Sequence, residues 1–214
     1  MSDYSGLRKE YSKFELLESN VDTNPFRQFE KWFNDAVEAN HPEPNAMTLA
    51  TVRSDGMPSA RTVLLKGVDD QGFVFYTNYT SAKGQALAST PMACLNFLWL
   101  GLERQVRISG HIEKVSREES AAYFHSRSRD SQIGVWVSRQ SEVVPSREYL
   151  DQKMAEMKEH FSQSEIIPLP SYWGGYRLLP IEIEFWQGRQ NRLHDRLLYS
   201  KSHSGQWFIS RLSP

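Results

Sequence analysis

A single cysteine, Cys94, stands among 214 residues. That excludes an internal disulfide and any thiolate metal cluster built by one chain, and it fits a reducing compartment. Its setting in the run Ala93 to Leu98 reads as a small, buried apolar position. Neither sign of charge is in excess: Lys and Arg number 25 against 26 Asp and Glu, for a formal net charge of −1. No global positive field therefore exists to draw in nucleic acid or an anionic membrane, and any basic site is local. Met1 to Glu18 carries no apolar stretch as long as a signal peptide or membrane span, so a cytoplasmic protein is expected. Neither GxGxxG nor a Walker glycine pattern occurs, and a nucleotide-type ligand would have to be held by side chains and strand edges. The six histidines, at 41, 111, 125, 160, 194 and 203, form no HExxH or paired short spacing with acids, so no metal is expected. A GxSxG nucleophile elbow is missing too.

What is present is ordinary globular composition, with 39% hydrophobic and 24% charged residues, which excludes wholesale disorder and suits one domain. Residues 1–20 are polar with scattered Leu and Phe and read as a mobile N-terminal arm or a marginal helix; 21–214 read as a single domain. Asn24-Pro25 is an N-cap followed by proline at the first helical position, and Phe26, Phe29, Trp32, Phe33, Ala36 and Val37 continue at helical spacing. From Ala46 the period changes to that of strands, predicted over Ala46 to Arg53, Pro58 to Gly67, Gly72 to Thr77, Met92 to Trp99 and Arg104 to Val115. Short helices are predicted at Ser81 to Ala88, from the Ser116/Glu119 capping box to Ser126, and over Arg147 to Phe161. Pro168 to Gly175 reads as a loop, and Ile181 to Gln187, Arg192 to Ser200 and Gln206 to Arg211 as a three-strand meander. About eight short strands with few helices imply a mainly β (α+β) chain folded as a closed or partly closed antiparallel barrel.

Four stretches carry chemistry. Arg61 and Lys66 sit at opposite parity on one strand and should face different groups unless a bulge intervenes, although solvated strand-end charges would look the same. Lys83 falls in the first turn of a helix, where an anion such as phosphate would be favoured by the dipole, the free N–H groups and the lysine together. Tyr123 to Gln132 gathers His125, Arg127 and Arg129 with Tyr and Ser donors after a helix C-terminus, a pattern that suits an oxyanion as well as plain helix capping. On a strand, Arg192, His194 and Arg196 would share one face, an arrangement that an anionic or electron-rich ligand would stabilise, and the arginines would bias His194 towards neutrality. Trp136, Trp173 and Trp186 lie near polar segments and could stack on a flat ligand as well as fill a core.

These segments resemble the pyridoxine (pyridoxamine) 5'-phosphate oxidase family over nearly the whole chain, from Leu7-Arg-Lys-Glu-Tyr11 to Arg211-Leu-Ser-Pro214. The most specific matches are Arg61 to Lys66, Phe75-Tyr-Thr-Asn78, Leu102-Glu-Arg-Gln-Val106, Tyr123-Phe-His-Ser-Arg127, Arg129-Asp-Ser-Gln-Ile-Gly134, Trp136-Val-Ser-Arg-Gln-Ser141, Trp173-Gly-Gly175, Glu184-Phe-Trp-Gln-Gly188 and Arg192-Leu-His-Asp-Arg196. The resemblance implies a homodimeric, FMN-binding split barrel with two FMN molecules at the subunit interface. Positions matching the family's FMN contacts are Arg61, Lys66, Tyr76, Thr77, Lys83, Gln105, Gln140, Ser141, Trp186 and Arg196. Those matching its substrate contacts are Lys66, Tyr123, Arg127 and Ser131 at the phosphate, Arg192 and His194 over the pyridine ring as catalytic residues, and Arg8 and Tyr11 on a covering arm. Ala82 stands where many members carry arginine, which removes one FMN phosphate contact unless Arg107 or another cation compensates.

The implied reaction oxidises the 4'-alcohol of pyridoxine 5'-phosphate or the 4'-amine of pyridoxamine 5'-phosphate to pyridoxal 5'-phosphate, with O₂ reduced to hydrogen peroxide. Two rivals remain at this stage: another enzyme on the same barrel, and a flavin or pyridoxal-phosphate binding protein without turnover.

Overall fold

The computed structural model describes residues 2–7 and 10–214. Helix α1 (Pro25–Glu38) starts where its cap dictates: the Asn24 side chain accepts from the N–H groups of Phe26 at 2.9 Å and Arg27 at 3.4 Å, and Pro25 takes a position whose missing N–H would have no helical partner. Phe26, Phe29, Trp32 and Ala36 recur every three or four residues and are buried. They lie against the inside of one curled sheet, where Phe29 meets Phe73 at 5.0 Å and Phe97 at 5.1 Å and Trp32 meets Phe185 at 5.2 Å.

That sheet is built from β1 (Ala46–Val52), β2 (Pro58–Leu64), β3 (Gly67–Val68), β4 (Phe73–Asn78), β5 (Met92–Trp99), β6 (Arg104–Lys114), β7 (Trp173–Gln187), β8 (Asp195–Lys201) and β9 (Trp207–Arg211). The order is β2-β1-β5-β6-β7-β4-β3, with β8 on β7 and β9 on β8, and each pairing is antiparallel. The two ends of that order, β2 and β3, are consecutive in the chain. The sheet therefore curls round to meet itself at residues 65 and 66, where Leu65 N–H donates to Asn45 and Lys66 N–H to Val74, each at 2.8 Å. This is the partly closed antiparallel barrel that the strand pattern implies.

Strand β7 organises the rest. Its first half pairs with β4, its second half with β8, and β6 runs along most of it. The β6–β7 register shifts between Ser109 and Gly110, opposite Pro180, which lacks a ladder donor and is tolerated at such an irregularity. A Cβ on Gly110 would stand 2.0 Å from the Leu179 carbonyl oxygen, and backbone on both sides leaves no flexible group to yield. Gly110→Ala is expected to cost about 3 kcal/mol and lower the melting temperature by roughly 10 °C in a calorimetric scan; an unchanged melting temperature would contradict the tight pairing.

Helix α2 (Ala82–Ser89) follows β4, and α3 (Arg117–Ser126), α4 (Arg129–Val137) and α5 (Arg147–His160) form a layer over the start of β7, around Phe124, Ile133, Phe161, Ile167 and Trp173. No helix among the described residues is long and apolar enough to cross a membrane.

Four sequence expectations are corrected. Helix α4 lies where a polar segment was expected; the Ser128 hydroxyl oxygen accepts from Ser131 N–H and starts it. β7 begins at Trp173 inside the expected Pro168 to Gly175 loop, because Gly174 and Gly175 serve close packing: a Cβ would stand 2.1 Å from the Tyr79 hydroxyl and 2.6 Å from Val115 respectively. The expected strand from Pro58 to Gly67 breaks at Leu65, so the parity argument for Arg61 and Lys66 does not apply. The strand expected from Arg192 starts only at Asp195, because Asn191 and Arg192 adopt left-handed φ values of 56° and 61° in a 3-10 turn. Arg192, His194 and Arg196 therefore do not share a strand face.

Candidate active site

One group of the expected residues meets at a cleft of about 410 Å³ beside the start of β7, lined among others by Lys66, Tyr76, Thr77, Lys83, Tyr123, Arg127 and Gln140. The break at Leu65 brings Lys66 to its rim. Lys83, in the first turn of α2, donates to Gln140 Oε1 at 2.9 Å and Thr77 Oγ1 at 3.1 Å. Ser141 Oγ accepts the Ala82 N–H at 3.1 Å, tying the 140–141 segment to the same helix end. Arg61 lies close enough for its charge to act on Lys83: burial, and then the Arg61 cation, push the Lys83 ammonium below its usual range. Arg61 itself is held by Leu49 C=O, Thr51 and Ser59.

On the opposite wall Tyr123 stacks on Tyr76 at 3.9 Å, and the Arg127 guanidinium lies 5.2 Å over Trp173. Arg127 Nη1 is buried without a hydrogen-bond partner, and burial lowers the pKa of the group. None of Arg61, Lys66, Lys83 and Arg127 forms an ion pair among the described residues. Lys66, Lys83 and Arg127 line the cleft and Arg61 acts on Lys83 from beside it, and a multiply charged anion is the species that would compensate such a group of cations. Ser131 is not on the cleft wall; its hydroxyl accepts from Ser128 Oγ at 2.8 Å, one turn back.

A second group assembles at the far end of β7. Gln105, Trp186 and Arg196 stand directly opposite one another across β6, β7 and β8. Arg196 is held by buried Glu184 at 2.8 Å, and the same carboxylate binds Arg107 at 2.6 Å. Arg107 thus stands at this end and does not replace the cation missing at Ala82 within one chain. His194 packs against Trp186 at 4.7 Å and Tyr11 at 5.9 Å, with exposed Arg192 beside a cavity of about 450 Å³. Arg8 lies outside the described residues. Sequence reasoning placed Glu184, Glu103 and Gly188 in matching segments but gave them no part in the site; a glutamate inside a strand-rich motif carries no local sign that it is buried.

His194 has a defined chemistry. Its Nδ1 accepts the Arg189 N–H at 3.0 Å, so the neutral ring carries its proton on Nε2 and offers a donor there. Burial, and then the Arg192 charge, hold the imidazole below its ordinary 6.5. A histidine pKa depressed by folding favours the neutral form in the native state, so the folded state loses stability as pH falls below 6.5 and the ring is forced to charge. Titration of the ring resonances by NMR is expected to give a midpoint below 6.5 with the Nε2–H tautomer; a higher midpoint, or the Nδ1–H tautomer, would contradict this geometry.

A sequence profile described as pyridoxamine 5'-phosphate oxidase matches residues 33–161, and one described as the pyridoxine 5'-phosphate oxidase C-terminal dimerisation region matches 173–214. The pyridoxine/pyridoxamine 5'-phosphate oxidase of Trichormus variabilis is 59% identical over 97% of both chains, and that of Paraburkholderia phymatum 56% identical over 100% of both. The chain belongs to the pyridoxine/pyridoxamine 5'-phosphate oxidase family. Among solved structures, PhzG from Burkholderia lata 383 in complex with tetrahydrophenazine-1-carboxylic acid is similar with a TM-score of 0.87 and 31% identity, covering 95% of this chain and 100% of that one. A pyridoxamine 5'-phosphate oxidase-related, FMN binding protein from Nostoc punctiforme, 18% identical with a TM-score of 0.69 over 89% and 97% of the two chains, shares the fold. The barrel is thus the split barrel of this oxidase family, and the chain is an enzyme of it.

Proposed function

We propose that the chain oxidises pyridoxine 5'-phosphate or pyridoxamine 5'-phosphate to pyridoxal 5'-phosphate, with FMN as cofactor and O₂ as the final acceptor, in a site shared between two copies of the chain. The observation that carries this reading is the cleft lined by Lys66, Lys83 and Arg127, with Arg61 beside Lys83 and none of the four in an ion pair among the described residues, which suits two phosphate groups: one on the cofactor, one on the substrate.

The donor set fits FMN. Arg61, Lys83 and the N-terminus of α2 suit its phosphate, and the row Gln105, Trp186 and Arg196 offers hydrogen-bond groups and an aromatic face to a flat ring system. Lys66, Tyr123 and Arg127 fit the substrate phosphate, with the buried Nη1 of Arg127 as its donor; Ser131 joins them on the strength of the family resemblance alone.

Trp173 and Trp186 mark the two ends of β7, roughly 40 Å apart along the strand at about 3.3 Å per residue. A single substrate cannot touch the clamp and Arg192 of the same chain. A two-fold dimer that sets the Trp173 end of one chain against the Trp186 end of its partner completes two equivalent sites, and the match of 173–214 to a dimerisation region supports it.

In such a site the clamp fixes the phosphate, and the binding energy gained there aligns the 4'-carbon for reaction. Arg192 and the Nε2–H of His194 orient the ring and accommodate charge that develops on it. Trp186 and Tyr11 restrict water around His194. Bound FMN supplies the hydride acceptor and the route by which electrons reach O₂. The test is an aerobic assay of the purified chain with each phosphorylated substrate: aldehyde and hydrogen peroxide are expected in equal amounts. Binding without peroxide would favour a carrier of flavin or pyridoxal phosphate.

A further inference from the structure

Glu103 is a buried carboxylate that none of the roles above uses. It closes the 3-10 turn Leu100–Leu102 in the left-handed conformation, with φ 56°, and is 3% exposed. A buried carboxylate requires donors. Here they are two consecutive backbone N–H groups of the N-terminal segment, Ser12 at 2.9 Å and Lys13 at 3.1 Å, both on Oε2. The Lys13 ammonium also donates to the Gly101 carbonyl at 2.7 Å, so one turn holds the segment at three points.

The same residue grips a second element. Its backbone carbonyl accepts from Gly188 N–H at 2.8 Å and from Gln187 Nε2 at 3.1 Å, at the corner where β7 gives way to the loop carrying Arg192 and His194. Tyr11 lies between the two grips. Its ring meets Trp186 edge-on at 5.8 Å and His194 at 5.9 Å. It sits so close to Gly188 that a Cβ there would stand 2.6 Å from Tyr11 Cγ, and the three atoms nearest such a Cβ all belong to Tyr11. Gly188 thus lacks a side chain to the benefit of one residue.

We infer that Glu103 is a positioning residue for this enzyme: by holding the Ser12 and Lys13 amides it seats Tyr11 on the Gly188 corner and fixes the surface that His194 presents to substrate. The inference deepens the oxidase reading and rests on it for the link to substrate. Charge is essential to the seat, because two amides converging on one carboxylate oxygen make charge-assisted bonds that a neutral amide cannot match. Gly188 supplies the complementary half, the space into which Tyr11 settles.

The test uses the FMN-loaded full chain and two independent variants. In Glu103→Gln, hydrogen exchange at the Ser12 and Lys13 amides is expected to accelerate about ten-fold, and the KM for pyridoxine 5'-phosphate to rise about ten-fold with a smaller change in kcat. Should that variant fail to fold, Gly188→Ala decides: it is expected to raise KM in the native background and to add little in a Tyr11→Gly background, since the three atoms nearest its Cβ are Cγ, Cβ and Cδ2 of Tyr11. Unchanged exchange and KM in Glu103→Gln, or a Gly188→Ala penalty that persists in full without the Tyr11 ring, would overturn the inference. The exchange measurement needs no substrate. A native chain that fails to oxidise pyridoxine 5'-phosphate therefore counts against the oxidase reading, while the exchange rates still decide on the seat.

Discussion

Arg127→Ala is expected to raise the KM for pyridoxine 5'-phosphate about a hundred-fold, equivalent to about 2.7 kcal/mol, while kcat stays within a few-fold. The size follows from what Arg127 lacks in the free chain. Its Nη1 is buried without a hydrogen-bond partner, the guanidinium lies over Trp173, and no carboxylate among the described residues forms an ion pair with it. A phosphate would thus supply its first strong hydrogen bond, and truncation removes that bond without stranding an opposite charge elsewhere. The variant should for the same reason fold normally, with a melting temperature close to that of the native chain. Steady-state kinetics with the phosphorylated substrate, read beside a thermal melt, checks both halves. An unchanged KM would remove Arg127 from the clamp.

Arg192→Leu should act differently. Arg192 is exposed at the other end of β7, in a strained turn with φ 61°, and forms no ion pair among the described residues. If its cation orients the ring during transfer, its loss lowers kcat by about a hundred-fold or more and leaves FMN content as it was. The two variants together test the shared site. A co-expressed mixture of Arg127→Ala and Arg192→Leu chains contains mixed dimers in which one site carries both lesions and the other carries neither. At pyridoxine 5'-phosphate concentrations well below the native KM, where both parent variants are nearly inactive, activity should recover to about a quarter of the native rate, since half the dimers are mixed and each has one intact site. A mixture no more active than its components would place both residues in one chain's site and contradict the dimer.

Much of this architecture is written locally in the chain. The Asn24-Pro25 cap, the alternation along β5 and β6, and the capping box before α3 each depend on neighbours within a few residues, and each element lies where its pattern places it. The errors arose where one local signal serves two physical ends. Gly174-Gly175 reads as a turn, yet here glycine is needed so that the β7 backbone can approach Tyr79 and Val115. Arg192, His194 and Arg196 have the spacing of a strand face, but two left-handed residues, which sequence spacing cannot reveal, turn the chain aside before Asp195. Ser128 is one serine among several between Ser126 and Ser131, and only its bond to the Ser131 N–H distinguishes it as a cap. Within the candidate site, cationic residues were conspicuous in the sequence, whereas the carboxylates that hold the scaffold, Glu103 and Glu184, were not. Their burial depends on partners 91 and 12 residues away respectively.

The most direct test of the central claim is the visible spectrum of the FMN-loaded chain, followed without oxygen as pyridoxine 5'-phosphate and then pyridoxamine 5'-phosphate are added. Bleaching of the flavin bands in step with formation of pyridoxal 5'-phosphate, and their return when air is admitted, is the result expected here. A flavin spectrum that shifts on binding but never bleaches with either substrate would contradict it.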